Sequence, residues 1–159
     1  KLASGAAPVA AWRAAGIASG LGTDGAASNN DLDMFEAMRV SSFLAKLSTG
    51  DPRALPAAEA LEMATIGGAK ALGLGDRIGS IETGKLADVI VVGMSRAGQT
   101  PVYNVVSHLV YATRGSDVRD VWVHGRALLR DRQVKTLDRD AVLSDARAMQ
   151  EKVRAAVQK

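Results

Sequence analysis

A short apolar segment at residues 17–23, Ile-Ala-Ser-Gly-Leu-Gly-Thr, most constrains what this chain can fold into. Small apolar residues bounded by glycine are typical of a strand that is buried on both faces, as in a parallel sheet. A single parallel strand cannot make a sheet. Its partner strands must therefore come from residues outside this chain, unless the parallel assignment is wrong.

Helices are predicted on both sides of this segment. Proline in the first turn and glycine after the last turn predict a short helix over residues 8–15. Asn30 or Asp31 is expected to cap a second helix over residues 32–47. Small and apolar residues at i, i+3, i+4 and i+7 then predict a third helix over residues 56–72, packed closely against a sheet.

The hydrophobic period then changes from 3.6 to 2, which indicates a β module. The pattern predicts strands over residues 78–81, 86–92, 106–113, 118–123 and 127–130. His124 and Gly125 are expected to form the two-residue turn between the last two strands. An amphipathic helix is predicted from about Asp138. This order indicates the end of an α/β unit followed by a β module.

Composition excludes several classes of function. The net charge is only +3, and the basic residues are scattered with few aromatics among them, which argues against a nucleic-acid partner. The apolar runs fall short of the ~20 residues that cross a bilayer, so no membrane partner is expected. The chain has no cysteine, which fits a reducing compartment, and a cytoplasmic location is the default expectation. Because the sequence begins at Lys1 and reads like the interior of a protein, we expect a portion of a longer chain.

Asp24 is the main candidate for chemistry. It follows the 17–23 segment inside Gly-Thr-Asp-Gly, at the strand end where α/β barrels place catalytic groups. A carboxylate there can bind a divalent cation and accept a proton from water. Alternatively, Asp24 only orders the loop that follows, since Asp is a common turn residue. Position alone leaves both interpretations open.

Three stretches together carry a family resemblance. Residues 22–34, Gly-Thr-Asp-Gly-Ala-Ala-Ser-Asn-Asn-Asp-Leu-Asp-Met, resemble the last barrel strand and loop of methylthioadenosine/S-adenosylhomocysteine deaminases and related triazine hydrolases of the amidohydrolase superfamily. Residues 78–92 resemble the exit from the barrel into a small β-sandwich, and residues 121–126 resemble a sandwich hairpin. The resemblance covers nearly the whole chain.

The resemblance implies an α/β fold: the C-terminal part of a (β/α)8 metal-dependent hydrolase barrel plus part of a small β-sandwich. Residues 1–75 would end the barrel, residues 76–137 would belong to the sandwich and residues 138–159 would form a C-terminal helix. The implied partner is the missing N-terminal portion of the same enzyme, and self-association is left open.

The implied activity is that of a metal-dependent aminohydrolase acting on cyclic amidine C–N bonds. The expected reaction is hydrolytic deamination of an adenine-type nucleoside, or of a related small N-heterocycle, with one divalent metal ion. Zinc is the first choice and iron the alternative. In the family, the aspartate that matches Asp24 binds the metal, touches the substrate and relays a proton. Ser28 and Asn29 are candidate substrate contacts, although hydrogen bonding within the loop is the simpler role.

The other family ligands, a His-X-His pair and a further histidine, and a catalytic glutamate lie on earlier strands. This chain has only two histidines. We expect His124 to be a solvent-facing turn residue and His108 a hydrogen-bonded strand residue, so that neither binds metal and the portion alone is inactive. Two alternatives remain: a triazine chlorohydrolase or aminohydrolase of the same superfamily, and a non-catalytic interaction module that folds as a compact monomer by itself.

Overall fold

A computed structural model of the protein describes Ala3 and residues 5–158. Its helices are α1 (Val9–Ala14), α2 (Ala26–Asn29), α3 (Met34–Thr49), α4 (Ala57–Ala64), α5 (Ile66–Ala71), α6 (Val105–Tyr111) and α7 (Arg139–Val157). Its strands are β1 (Val89–Val92), β2 (Val118–Val123), β3 (Arg126–Arg130) and β4 (Gln133–Val134). Two 3₁₀ turns lie at Ala97–Gln99 and Gly115–Asp117. None of the helices just given is both long and apolar enough to cross a membrane.

The strands form one antiparallel sheet in the order β1-β2-β3-β4. The predicted hairpin is confirmed, since His124 and Gly125 join β2 to β3 with φ angles of 51° and 75°. Both angles are positive, which a type I′ turn requires and which matches the twist of the two strands. Asp88 stabilises the tip, because its Oδ1 accepts the His124 N–H at 2.6 Å. Local turn chemistry therefore fixes the β2–β3 hairpin, and the Asp88 bond joins this hairpin to the segment just before β1.

Helices α3, α4 and α6 pack around a small apolar core. Its fully buried members include Met38 of α3, Met63 of α4 and Val110 of α6. Ser42 of α3 lies at the edge of this core, where its hydroxyl donates to the Leu55 carbonyl at 2.7 Å. Two predictions hold at the ends of the chain, because α1 and α7 lie where the proline, glycine and aspartate signals placed them.

The strand predicted over residues 106–113 is wrong, because this segment is the helix α6. A run of apolar β-branched residues fits both periods, and Val106 and Val110 also have the i, i+4 spacing of a helix. An N-cap favours the helix, since the Asn104 side chain accepts the Ser107 N–H at 2.9 Å, and so does the burial of Val110 in the core. His108 therefore lies on a helix, not on a strand, and its Nδ1 is 3.3 Å from the Asn104 carbonyl oxygen.

Residues 17–23 form no strand in this structure, contrary to expectation. The segment lies across the helices instead, where the Leu21 N–H donates to the Met63 carbonyl at 3.1 Å. Gly20 approaches α5 so closely that a Cβ there would lie 2.6 Å from the Gly68 Cα. Ile17 remains 54% exposed. A strand needs neighbouring strands, and no strand among the described residues lies beside this segment.

Other elements also differ from the sequence prediction, among them the strand expected over residues 86–92, which begins only at Val89. The helix expected over residues 56–72 breaks at Thr65 into α4 and α5. The cap of α3 is Asp33 rather than Asn30 or Asp31, because the helix begins only at Met34. Residues 78–81 form no strand, since Gly79 has a φ of 92° and packs against α5, where a Cβ would lie 2.8 Å from the Ala69 Cβ.

A buried ion pair joins the loops beside the sheet. The Asp117 side chain is 1% exposed, and its two oxygens accept from Arg96 Nε at 2.5 Å and Nη2 at 2.6 Å. Its Oδ2 also accepts the Arg114 N–H at 3.0 Å. Burial alone would raise the pKa of Asp117, but the Arg96 and Arg114 hydrogen bonds and the charges of Arg96 and Arg132 outweigh it and lower the pKa below 3.8.

Asp117→Asn should lower the free energy of unfolding at pH 7 by about 2 kcal/mol. Breaking a fully buried ion pair costs about 3–5 kcal/mol. We expect a smaller loss here because the Arg96 side chain is 43% exposed, so that water partly screens the pair. Because the pKa is depressed, the contribution of the carboxylate is complete above 3.8 and is lost as the pH falls below it. Urea unfolding at pH 7 and pH 3, in a protein that also carries the expected upstream portion, should show a difference that shrinks in acid. The exposed variant Asp131→Asn is the control.

Candidate functional site

Asp24 lies at the start of an exposed loop, residues 24–33, which we call the Asp24 loop. Its backbone is left-handed, with a φ of 58°. Asp tolerates this conformation better than most residues, and such angles recur at functional sites. The Asp24 Oδ1 accepts the Gly25 N–H at 2.7 Å. The carboxylate is therefore oriented by its own turn while staying open to solvent.

The two other candidate residues lie on the short helix α2, within the same loop. The Ser28 hydroxyl lies 2.9 Å from the Gly25 carbonyl oxygen, and its single rotatable proton can be donated either to that oxygen or to the Asp24 carboxylate. The Asn29 Nδ2 donates to the Thr23 carbonyl at 3.0 Å, which ties α2 back to the residue before Asp24. The structure therefore brings Asp24, Ser28 and Asn29 together and gives the last two residues roles in shaping the loop.

The loop keeps Asp24 ionised. The Ser28 hydroxyl, and after it the Gly25 N–H, hold the pKa of Asp24 below its ordinary value of 3.8. Hydrogen bonds to a carboxylate favour its charged form. An ionised, exposed carboxylate is the species that binds a divalent cation, so the loop suits Asp24 for that role.

Asp24 fits a metal as one ligand but cannot hold it with its neighbours alone. Across Ala3 and residues 5–158, no group of three or more His, Cys, Asp or Glu side chains is placed to hold a metal ion. His108 lies on α6 and His124 at the tip of the β2–β3 hairpin. Protein zinc sites supply at least three ligands, so further ligands would have to come from outside this chain.

Neither histidine should contribute to metal binding in the complete protein. His124→Asn keeps a residue that tolerates positive φ, and the His124 N–H that Asp88 accepts belongs to the backbone, so the hairpin should stay intact. The metal content per molecule of His124→Asn and His108→Gln should equal that of the unmodified protein by elemental analysis. A folded variant that loses metal would show that the histidine is a ligand.

One contact at the end of the Asp24 loop was missed by the sequence reasoning. Asp33 accepts the Phe35 N–H at 2.8 Å as the cap of α3, and its second oxygen accepts the Gly115 N–H at 2.7 Å. The cap has a local signal, an aspartate directly before an apolar helix. The bond to Gly115 spans 82 residues along the chain and has no sequence signal.

Known proteins resemble the chain along nearly its whole length. Residues 1–128 match the model of the amidohydrolase family. A 5-methylthioadenosine/S-adenosylhomocysteine deaminase of Syntrophomonas wolfei is 49% identical over 147 residues, which are 92% of this chain and 34% of that protein. A 5'-deoxyadenosine deaminase of Methanosarcina mazei is 48% identical over 157 residues, which are 99% of this chain and 36% of the relative. The chain thus spans about a third of the length of the curated relatives that it matches.

Solved structures agree with these sequence matches. A crystal structure of an adenosine deaminase from Xanthomonas campestris with bound zinc superposes with a TM-score of 0.94 at 46% identity, covering 98% of this chain and 35% of that one. A zinc complex of atrazine chlorohydrolase from Arthrobacter aurescens TC1 superposes with a TM-score of 0.75 at 28% identity, covering 89% of this chain and 32% of that one.

Proposed function

Because this chain belongs to the amidohydrolase family, we propose that it is the C-terminal third of a metal-dependent aminohydrolase that deaminates adenine-type nucleosides. The observation that carries the proposal is the Asp24 loop. An exposed carboxylate with a lowered pKa sits in a Gly-Thr-Asp-Gly turn, within a chain nearly half identical to two nucleoside deaminases.

Asp24 would have two roles in this reaction. As a metal ligand, its carboxylate would help hold one divalent ion, for which zinc is favoured by its presence in the two solved relatives. As a general base and acid, it would take the proton of the attacking water and pass it to the amine that leaves. A new C–O bond forms at the ring carbon, the C–N bond breaks, and ammonia departs. A metal ion held by Asp24 together with ligands from the remaining portion would act as a Lewis acid and lower the pKa of water.

The rest of the loop would prepare Asp24 for both roles. The Ser28 hydroxyl, and after it the Gly25 N–H, favour the ionised carboxylate, and the Asn29 amide fixes α2 against residue 23. A Cβ at Gly22 or Gly25 would meet no other group within 4 Å, so contacts among the described residues do not themselves require glycine at these two positions. We also propose Ser28 and Asn29 as substrate contacts beside Asp24.

The remaining portion of the enzyme would complete a barrel and a sandwich around this chain. Support comes from apolar surface that the described residues leave uncovered. A cleft of about 450 Å³ between α5, residues 78–81 and β1 is lined largely by apolar groups, among them Leu72, Ile81 and Ile90. On α3, Leu44 and Leu47 are also exposed. We propose that residues 1–75 complete the barrel, that residues 76–137 belong to the sandwich and that residues 138–159 add a helix.

A triazine hydrolase remains the second candidate. It is supported by the superposition on atrazine chlorohydrolase at 28% identity, against 46–49% for the adenosine-type deaminases. Because a shared fold hosts different chemistries, the structural likeness alone does not separate the two. The higher identity of the nucleoside deaminases favours the first candidate.

The deciding experiment is a substrate comparison with the complete protein loaded with zinc. Ammonia release from methylthioadenosine, S-adenosylhomocysteine and 5'-deoxyadenosine should be fast, and release of chloride or amine from chlorotriazines should be slow or absent. Asp24→Asn is the matched negative control. Turnover of triazines alone would establish the second candidate, and no turnover of either class would refute both.

A further inference from the structure

We infer that Asp33 is a positioning residue for the Asp24 loop, because its carboxylate ties the end of that loop to a turn beside the β-sheet. Its Oδ1 accepts the Phe35 N–H at 2.8 Å and its Oδ2 accepts the Gly115 N–H at 2.7 Å. One side chain thus begins α3 and also fixes where α3 and the loop lie against the 3₁₀ turn Gly115–Asp117. The inference rests on the proposed function.

The turn that holds Asp33 is itself anchored in the interior. The Arg114 backbone N–H donates to Asp117, and the buried Asp117 carboxylate also accepts from Nε and Nη2 of Arg96. Gly115 lies between these anchored residues, so its N–H is presented from a fixed point. A hydrogen bond restricts its acceptor more when the donor is held in place than when the donor lies on a mobile loop, because a mobile donor can move together with the acceptor.

The approach between Gly115 and Asp33 is close enough that a side chain at position 115 would press on the Asp33 carboxylate. A Cβ at Gly115 would lie 3.3 Å from the Asp33 Cγ and 3.3 Å from its Oδ2. Such a contact is tight for carbon against a carboxylate, so an alanine would push the Asp33 side chain away from the Gly115 N–H. Glycine at position 115 and aspartate at position 33 therefore act as one unit.

Several other hydrogen bonds of the Asp24 loop stay within it or reach the residue just before it. The Ser28 hydroxyl donates within the loop, Asn29 donates to the Thr23 carbonyl, and the Asp31 N–H donates to the Asn29 carbonyl. These bonds give the loop its shape but do not fix its position on the fold. The hydrogen bond between Asp33 and Gly115 links the loop to a different part of the fold. The position of the loop matters because a displacement of about 1 Å at a catalytic group can lower the rate by about 10²-fold.

Two single variants of the zinc-loaded complete enzyme test the inference. Asp33→Asn keeps an Oδ1 that can cap α3, but its amide Nδ2 cannot accept the Gly115 N–H. Gly115→Ala disturbs the same bond from the other side. Each should lower kcat about tenfold with KM for the nucleoside nearly unchanged, and each should release zinc to a chelator faster. The double variant should be no slower than the slower single variant, since both changes break one contact.

Asp138→Asn is the matched control. Asp138 caps α7 by accepting the Asp140 and Ala141 N–H groups, and Asn keeps an acceptor there as it does at position 33. The control should keep the kcat and zinc retention of the unmodified enzyme. Unmodified kcat and zinc retention in Asp33→Asn would overturn the inference, as would equal losses in Asp138→Asn. If the unmodified protein deaminates no nucleoside, the proposed function fails separately, and zinc retention in Asp33→Asn then decides on the inference.

Discussion

Replacing Asp24 with asparagine in the complete enzyme should lower kcat by about 10²–10⁴-fold, the range in which a positioned acid–base group contributes. The expected loss is large because one group would serve two purposes, metal binding and proton transfer. Asparagine tests the role of the charge more specifically than alanine does. It tolerates the left-handed backbone with a φ of 58°, and its Oδ1 can still accept the Gly25 N–H. The change then removes the charge and little else.

The measurement is steady-state deamination together with zinc content per molecule. Asp31→Asn is the control, because Asp31 is an exposed aspartate of the same loop and loses the same charge. It should keep near-normal kcat and zinc. Full activity and unchanged zinc in Asp24→Asn would remove Asp24 from both roles.

Elements whose signals are local were predictable from the sequence. Proline and glycine bracket α1, and the aspartate before α7 caps it through two backbone N–H groups. The His124-Gly125 turn fixed the β2–β3 hairpin, since two positive φ angles in succession suit a type I′ turn. In each case the residues that determine the structure are within a few positions of it.

Elements decided by distant contacts were not predictable. The apolar run at residues 105–111 satisfied both periods, and its helix depends on a cap and on burial of Val110 against α3 and α4. Segment 17–23 has the composition of a buried strand, but a strand needs neighbours that no described residue supplies. Composition therefore indicates what a segment suits, while the available partners decide what it forms.

The candidate site divides in the same way. Asp24, Ser28 and Asn29 were found because they lie within one short motif. The link from Asp33 to Gly115 was not, because 82 residues separate its ends and only the packed helices bring them together. The chemical groups of the site can thus be identified from one short motif, whereas the position of the site on the fold depends on contacts between residues far apart in the sequence.

The largest effect on folding should come from expressing residues 1–159 alone, which we expect to give aggregated or loosely folded material. The exposed apolar surface is the first reason: Leu47 is 81% exposed and Ile81 is 85% exposed, and uncovered patches of this kind promote association. The second is that α7 has no buried residue, so its 19 residues add little to the core. The free energy of unfolding of a small domain is only about 5–15 kcal/mol, so the loss of this apolar burial is a large fraction of it.

Activity should be absent from the same material for an independent reason, since one carboxylate cannot hold zinc where a hydrolytic site supplies at least three protein ligands. Adding the upstream portion, on the same polypeptide or as a second chain, should restore a cooperative melt and deamination together. The double variant Leu47→Lys, Ile81→Lys distinguishes association through exposed apolar surface from incomplete folding, because it removes exposed apolar side chains and leaves the core intact. A sharp melt of monomeric 1–159, with or without these changes, would show that the chain is a complete domain, and deamination by it with added zinc would show that its own residues complete the site.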